Sequence, residues 1–305
     1  MVLDSTYKSF QDDLARAGLL IPTGVPGVYG RGATFEHIVE CFDAYVTQMG
    51  AHLNPEVMRF PPIFNRDHYE EIDHIRNFPD LMGSVHTFIG DSAKHQQMLE
   101  IFERNEDWTR SLSKSAVMLC PAVCYPLYPT ASGTILPTQG RCIDLMGFVF
   151  RHEPSDDPCR MQSFRQHEYV RLGTAEQALE HRDYWLKRGK EMLESVGLAV
   201  TAVVANDPFF GRNGRVMRAT QREQDLKFEL IVAVTSAEKP TAVVSSNCHL
   251  DHFGDAFNIK TSDVKPAHSA CVGFGLERVT LALLKTHGFD PQLWPREVRD
   301  VLCMH

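Results

Sequence analysis

The chain has 305 residues, 43% of them hydrophobic and 23% charged, with a formal net charge of −8. These proportions are those of a globular protein and exclude disordered, collagen-like and disulfide-scaffold classes. No apolar run approaches the roughly 20 residues that span a bilayer, and the acidic balance argues against a generic nucleic-acid binder.

The eight cysteines are scattered, which predicts reduced thiols, some of them candidate metal ligands. The start, M-V-L-D-S-T-Y-K-S-F, lacks a signal peptide's layout and favours the cytoplasm.

In chain order, residues 7–17 predict a short helix, and 21–32 form a Gly/Pro-rich connector. Thr34 is a candidate cap for a helix over 34–50 with Phe35, Ile38, Val39, Phe42, Tyr45 and Val46 on one stripe. Residues 56–64 read as a strand interrupted by Pro61 and Pro62, and 67–82 as a polar helical patch. A further helix is expected over 92–113, capped by Asp91 or Ser92. Over 117–130, three prolines forbid a regular central strand after Cys120. Cys120 and Cys124 read either as a metal half-site or as two buried, inert thiols.

Residues 148–170 read F-V-F-R-H-E-P-S-D-D-P-C-R-M-Q-S-F-R-Q-H-E-Y-V. Two β-type runs flank a polar insert with prolines, which predicts an antiparallel hairpin with a loop. Alternation puts Arg151 and Glu153 on one face, and Phe164, Gln166 and Glu168 on one face of the return strand, beside a loop carrying Arg160. That set suits a nucleotide: arginine for phosphate, an aromatic ring for the base, a carboxylate for an exocyclic amine. Alone, an R-x-E reads first as a solvated hairpin with cross-strand ion pairs.

A charged helix is expected over 174–196 above a stripe of Ala178, Leu179, Tyr184 and Leu193, then a strand over 198–205. Residues 206–222 are arginine-rich. A strand over 224–234 carries Asp225, Lys227 and Glu229 on one face, either as ligand contacts or as solvated charges. Another strand covers 241–248; His249, Asp251 and His252 then offer metal-ligand side chains, but their loose spacing before Gly254 reads as a surface loop. The stretch 271–284, C-V-G-F-G-L-E-R-V-T-L-A-L-L, sets Gly273 and Gly275 ahead of a helix with Arg278 in its first turn. The tail after 291 reads as packing.

F-R-x-E with its return Phe, followed far downstream by G-x-G-x-E-R, resembles motifs 2 and 3 of the class II aminoacyl-tRNA synthetases. The resemblance spans roughly residues 34–290, and the helix-then-proline-strand pair over 34–64 is similar to motif 1, the dimer element. More narrowly, the chain resembles the amino acid:[carrier protein] ligases, truncated relatives of the zinc-dependent seryl-tRNA synthetases of methanogens. The implied fold is α/β, of the α+β type: an antiparallel sheet flanked by helices. Residues 1–33 would be an N-terminal extension and 34–305 the catalytic domain, with no room ahead of it for a tRNA-binding arm.

The resemblance further implies ATP-dependent activation of a small amino acid, glycine or alanine. Transfer to the phosphopantetheine thiol of a carrier protein would follow, in a homodimer that does not use tRNA or a membrane. It assigns zinc to Cys124, Glu168 and Cys271, with Cys120 the rival to Cys124, and Glu168 to the substrate amino acid as well. Two thiolates and a carboxylate leave a fourth position where a free amine can bind. Arg151, Glu168 and Arg278 are the catalytic set. ATP contacts are expected from Arg151, Glu153, Arg160, Met161, Phe164, Lys227, Arg278 and the segment Ala242, Val243, Val244, Ser245, with Mg2+ accompanying ATP. In the seryl enzymes a metal-binding Glu opens that segment; here Thr241 or Ala242 stands instead, which leaves the magnesium ligands unassigned. The alternatives are a stand-alone seryl-like synthetase and a non-catalytic amino-acid or adenylate sensor. Arg212, Arg215, Arg218 and Arg222 form an expected docking patch for an acidic carrier.

Overall fold

The computed structural model describes residues 5–207 and 225–304. The arginine-rich patch Arg212, Arg215, Arg218 and Arg222 lies outside the described residues. Among the described residues no helix is long and apolar enough to cross a membrane.

The chain opens with α1 (Ser5–Arg16) and the short ribbon β1 (Leu20–Pro22) and β2 (Tyr29–Arg31). Phe10, Leu14 and Tyr29 sit in the same hydrophobic core as the later elements. Next comes α2 (Ala33–Gly50), which buries Phe35, Ile38, Val39, Phe42 and Val46. Its N-cap is Gly32, not Thr34, and no side chain caps it. Gly32 is fixed there by crowding: a Cβ would stand 2.0 Å from the Gly18 carbonyl oxygen.

A seven-stranded sheet organises the molecule, in the order β3 (Glu56–Met58), β7 (Arg141–Phe150), β8 (Ser163–Gly173), β12 (His268–Gly275), β11 (Thr241–Leu250), β10 (Lys227–Val232), β9 (Thr201–Val204). The β3–β7 pair is parallel and every other pair antiparallel. Pro61 and Pro62 end β3 as expected, and the chain re-forms as β4 (Ile63–Asn65) in a separate sheet, order β4-β6-β5. Its other strands, β5 (Ser84–Phe88) and β6 (Leu112–Leu119), are not anticipated by the sequence reading.

The polar patch 67–82 breaks into α3 (Arg66–Glu71), α4 (His74–Asn77) and a 3-10 turn. The helix expected over 92–113 is α5 (Ser92–Glu103), capped by the Asp91 side chain on the Lys94 amide. It stops early because Asn105 takes φ 56°, after which the chain turns into β6. A short α6 (Leu127–Thr130) follows the prolines.

One face of the large sheet is covered by α2, α7 (Ala175–Ser195) and, after α8 (His252–Ala256), α9 (Leu276–His287). Thr174 and Gln177 form a capping box at the start of α7. The buried stripe of α7 is Ala178, His181, Trp185, Gly189, Met192 and Leu193, whereas Leu179 and Tyr184 are exposed. The stripe is rotated because Trp185 stacks on Tyr169 of β8 at 4.6 Å, which fixes which side of α7 faces the sheet. Beyond 291, Trp294, Val298 and Leu302, the last two on or just after α10 (Arg296–Val301), pack into the same core.

Candidate active site

Alternation along β8 splits its side chains between two layers. His167 and Tyr169 face the helices, while Phe164, Gln166 and Glu168 face a cavity of about 1350 Å3 on the other side of the sheet. The motif-2-like hairpin forms, with Phe150 opposite Ser163, but β7 ends at Phe150, so Arg151 and Glu153 lie in the loop and not on a strand face as expected; the loop is tied at its base by Gln162 to Gly27 and Pro26.

At one end of the cavity the Phe164 ring has two guanidinium groups beside it: Arg151 at 5.6 Å and Arg278 at 5.9 Å from its centroid. Arg151 Nε donates to the Pro121 carbonyl at 2.9 Å. Arg278 donates from Nε to Cys159 O (2.8 Å) and from Nη1 to Ala242 O (3.0 Å), which ties α9 to the hairpin loop and to β11. Neither arginine has a carboxylate among these hydrogen-bond partners, so both keep charge for an anionic ligand. Glu153 and Arg160 line the same end, with Arg160 Nη1 3.6 Å from Glu153 Oε2.

The structure brings nearly all expected ATP contacts to this cavity: Arg151, Glu153, Arg160, Phe164, Lys227, Arg278 and the run Ala242, Val243, Val244 and Ser245. Met161 was expected to act through its backbone; its side chain does not line the cavity and is buried against Arg31 Nη2 at 3.7 Å. Lys227 lies between Asp207 (Oδ1 2.5 Å) and Glu229 (Oε1 3.3 Å). Burial works against its charge, but the two carboxylates prevail and hold its pKa above the ordinary lysine value. Asp225 sits in a left-handed turn and does not continue the strand face.

At the other end lie Cys124, Glu168 and Cys271, brought from three distant segments. All three line the cavity. The neighbouring Cys271 and burial push the Cys124 thiol well up, while Cys124 and His249 beside it hold Cys271 well below the usual thiol range. Burial, then the Cys271 charge, raises the Glu168 carboxyl to about 8. One oxygen of Glu168, Oε2, is buried with no hydrogen-bond partner among the described residues. These are acidic donors crowded in low dielectric, an arrangement that a cation relieves. They meet as neighbours in the cavity wall, and among the described residues no three His, Cys, Asp or Glu side chains already stand as a metal cage. Gly273 faces this group, and a Cβ there would press on Glu168 Oε1 at 3.2 Å. Cys120 is turned away, bonded to the Ala122 carbonyl at 3.0 Å.

Asn247 was missed as a site residue in the sequence, and His249 was set aside there as a loop residue. His249 is not in a loop; β11 runs through it to Leu250, and it lines the cavity. Its Nδ1 meets Ser269 Oγ at 3.0 Å and its Nε2 meets Cys271 Sγ at 3.6 Å. Asn247 Nδ2 donates to the same sulfur at 3.4 Å. The pairing of β11 with β12 across Asn247 and Cys271 was the only signal that could have found them. His74 forms part of the wall near Arg151, wedged among Tyr69, Phe78 and Tyr125.

No protein-family model matches the chain. It is 43% identical over 292 residues, covering 95% of this chain and 87% of the relative, to the amino acid–[acyl-carrier-protein] ligase 2 of Bradyrhizobium diazoefficiens. To ligase 1 of the same organism it is 40% identical, over 92% of this chain and 86% of that one. A crystal structure of M. kandleri SerRS with A. aeolicus tRNASec matches the fold at a TM-score of 0.82 and 23% identity, over 96% of this chain and 60% of the synthetase.

Proposed function

The chain belongs to the amino acid–[acyl-carrier-protein] ligases, and on that premise we propose that it joins a small amino acid, through its adenylate, to a phosphopantetheine thiol. A carboxylate oxygen of the amino acid attacks the α-phosphorus of ATP, and the bond to pyrophosphate breaks. The pantetheine sulfur then attacks the carbonyl carbon, AMP leaves, and the thiol proton is lost to solvent. The observation that carries this reading is the polarity of one cavity. Its Arg151–Phe164–Arg278 end suits a nucleotide, and its Cys124–Glu168–Cys271 end suits an amine-holding centre. At about 1350 Å3 it exceeds the roughly 300–1,000 Å3 of a single small-ligand site, so two substrates can meet inside it.

In this reading Arg151 meets the charge gathering on the α-phosphate, where a fixed cation in a water-poor site is worth most. Arg278 covers the base or pairs with the distal phosphates, and Phe164 supplies the apolar face. Glu153, with the backbone at Arg160, reads the adenine, and Mg2+ accompanies ATP. Lys227, Ala242, Val243, Val244 and Ser245 border the nucleotide.

The donor set and the unpartnered Glu168 oxygen fit zinc, which Cys124, Glu168 and Cys271 would hold. When bound, zinc supplies a Lewis-acid position for a free α-amine and gives the site selectivity for amino acids over other carboxylic acids. Asn247 and His249 would orient the Cys271 sulfur from behind.

We also read the protein as a cytoplasmic homodimer through the motif-1-like region. The edge strand β3 supports this, with Val57 left 66% exposed. Residues 34–305 would be the catalytic unit. Amino-acid-dependent exchange of labelled pyrophosphate into ATP tests the first step: glycine or alanine should drive it, and no exchange with any amino acid would remove the reading.

A further inference from the structure

The strand β12 ends at Gly275, paired with Gln166, and the chain turns directly into α9. The next amide of β8 on that side, Arg165 N, therefore has no strand carbonyl to bond. Glu277 fills the vacancy: its Oε2 accepts from Arg165 N at 2.7 Å, and its Oε1 accepts from Arg165 Nε at 2.9 Å. The remaining arm of Arg165 forks onto Glu36 of α2, at 2.7 and 2.9 Å. Arg31 closes the group, 3.3 Å from Glu277 and 4.0 Å from Glu36. Two carboxylates and two guanidinium groups thus form a quartet of balanced charge, with Glu277 itself 1% exposed. Arg165 and Arg31 both lie against the Phe148 ring, at 5.2 and 5.5 Å.

None of the four side chains of this quartet lines the cavity. Its neighbour in sequence is Arg278, which turns the other way into the cavity and bonds only neutral carbonyls there. Resting on the ATP reading above, we propose that Glu277 is a positioning residue for the nucleotide, acting through Arg278. By clamping the first turn of α9 to both the main chain and the side chain of Arg165, it fixes Arg278 against Phe164. By spending its own charge on Arg165 and Arg31, it leaves Arg278 uncompensated for an anionic ligand. A freed carboxylate one residue away would compete with ATP for that guanidinium.

The test measures amino-acid-dependent pyrophosphate exchange with Glu277→Gln and Arg165→Lys, recording the KM for ATP, the KM for the amino acid, kcat and Tm. Arg165→Lys keeps the charge and gives a second route should Glu277→Gln fail to fold. The KM for ATP should rise at least about tenfold, the scale of one charged contact, while the KM for the amino acid stays within about twofold. A merely structural role lowers Tm and the active fraction and leaves both KM values in place; that result overturns the proposal. A parallel rise of both KM values also overturns it, since it reports collapse of the whole cavity. If the wild-type protein shows no exchange, the ATP reading itself fails, and the positioning role falls with it.

Discussion

The guanidinium carbon of Arg278 stands 5.9 Å from the centroid of the Phe164 ring. A base sandwiched between them would need two van der Waals layers, about 7 Å in all, so if Arg278 covers the base it would withdraw by about 1 Å. Its anchors, Cys159 O and Ala242 O, lie in the hairpin loop and β11, so that movement would pull on both. Arg278→Ala should raise the KM for ATP and abolish most of the ATP-induced rise in Tm, with the stack alone worth ~0.5–2 kcal/mol. An unchanged ATP response in that variant would show that the base sits elsewhere.

Arg151→Ala should behave differently. In the proposed reading its charge meets the reacting phosphate, so the loss should appear mainly in the rate of adenylate formation, by about 10²–10³-fold, with a smaller change in the KM for ATP. A variant that forms adenylate at the wild-type rate removes Arg151 from the chemistry.

The hairpin and its cavity-facing set were legible because strand alternation is strict: Phe164, Gln166 and Glu168 share a face whatever else happens. What the sequence could not show were relations across long separations. Arg165 and Glu277 meet over 112 positions, and Cys124, Glu168 and Cys271 converge from three segments. Their convergence was foreseen by resemblance to a family and not from spacing. The α7 stripe was misread through Leu179 and Tyr184 because apolar character alone does not say which side meets Trp185's partner on β8. His249 was placed in a loop since nothing local marks the strand's last two residues; its pairing partner lies in β12.

Zinc content separates ligands from their supports. The native protein should carry one zinc per chain, and Cys124→Ala or Cys271→Ala should lose it, together with adenylation. His249→Ala should keep stoichiometric zinc at saturation but bind it about 10–100-fold more weakly, the usual cost of removing a group that orients a ligand. Metal analysis of the purified proteins and competition with a chromophoric chelator check both. Metal-free native protein with full activity would refute the zinc assignment.

Stability should depend on pH through three histidines. Burial lowers His181 and His74 to about 4, the second with help from Arg151. The unfolded chain, titrating near 6.5, then binds more protons than the native state between those values. Their contribution is complete above about pH 6.5 and is lost progressively as the pH falls toward 4. His167 has the opposite sign. Burial resists its charge, but the Asp144 carboxylate 3.4 Å from Nε2 and the hydrogen bond of Nδ1 to Asp43 raise its pKa above 6.5. Its contribution is full below 6.5 and is lost as pH rises through that raised value. Thermal melts across pH 4 to 9 should show a maximum between the two limbs; His181→Gln should flatten the acid limb and His167→Gln the alkaline one. An acid limb unchanged in His181→Gln would contradict this assignment.

The central claim is the acceptor. Purified protein with ATP, Mg2+ and glycine or alanine should be incubated with a holo carrier protein and, in parallel, with tRNA, and the carrier's intact mass should then be read. The account predicts a carrier heavier by one aminoacyl group, released by hydroxylamine as a thioester is, and uncharged tRNA. A charged tRNA beside an unmodified holo carrier would contradict it.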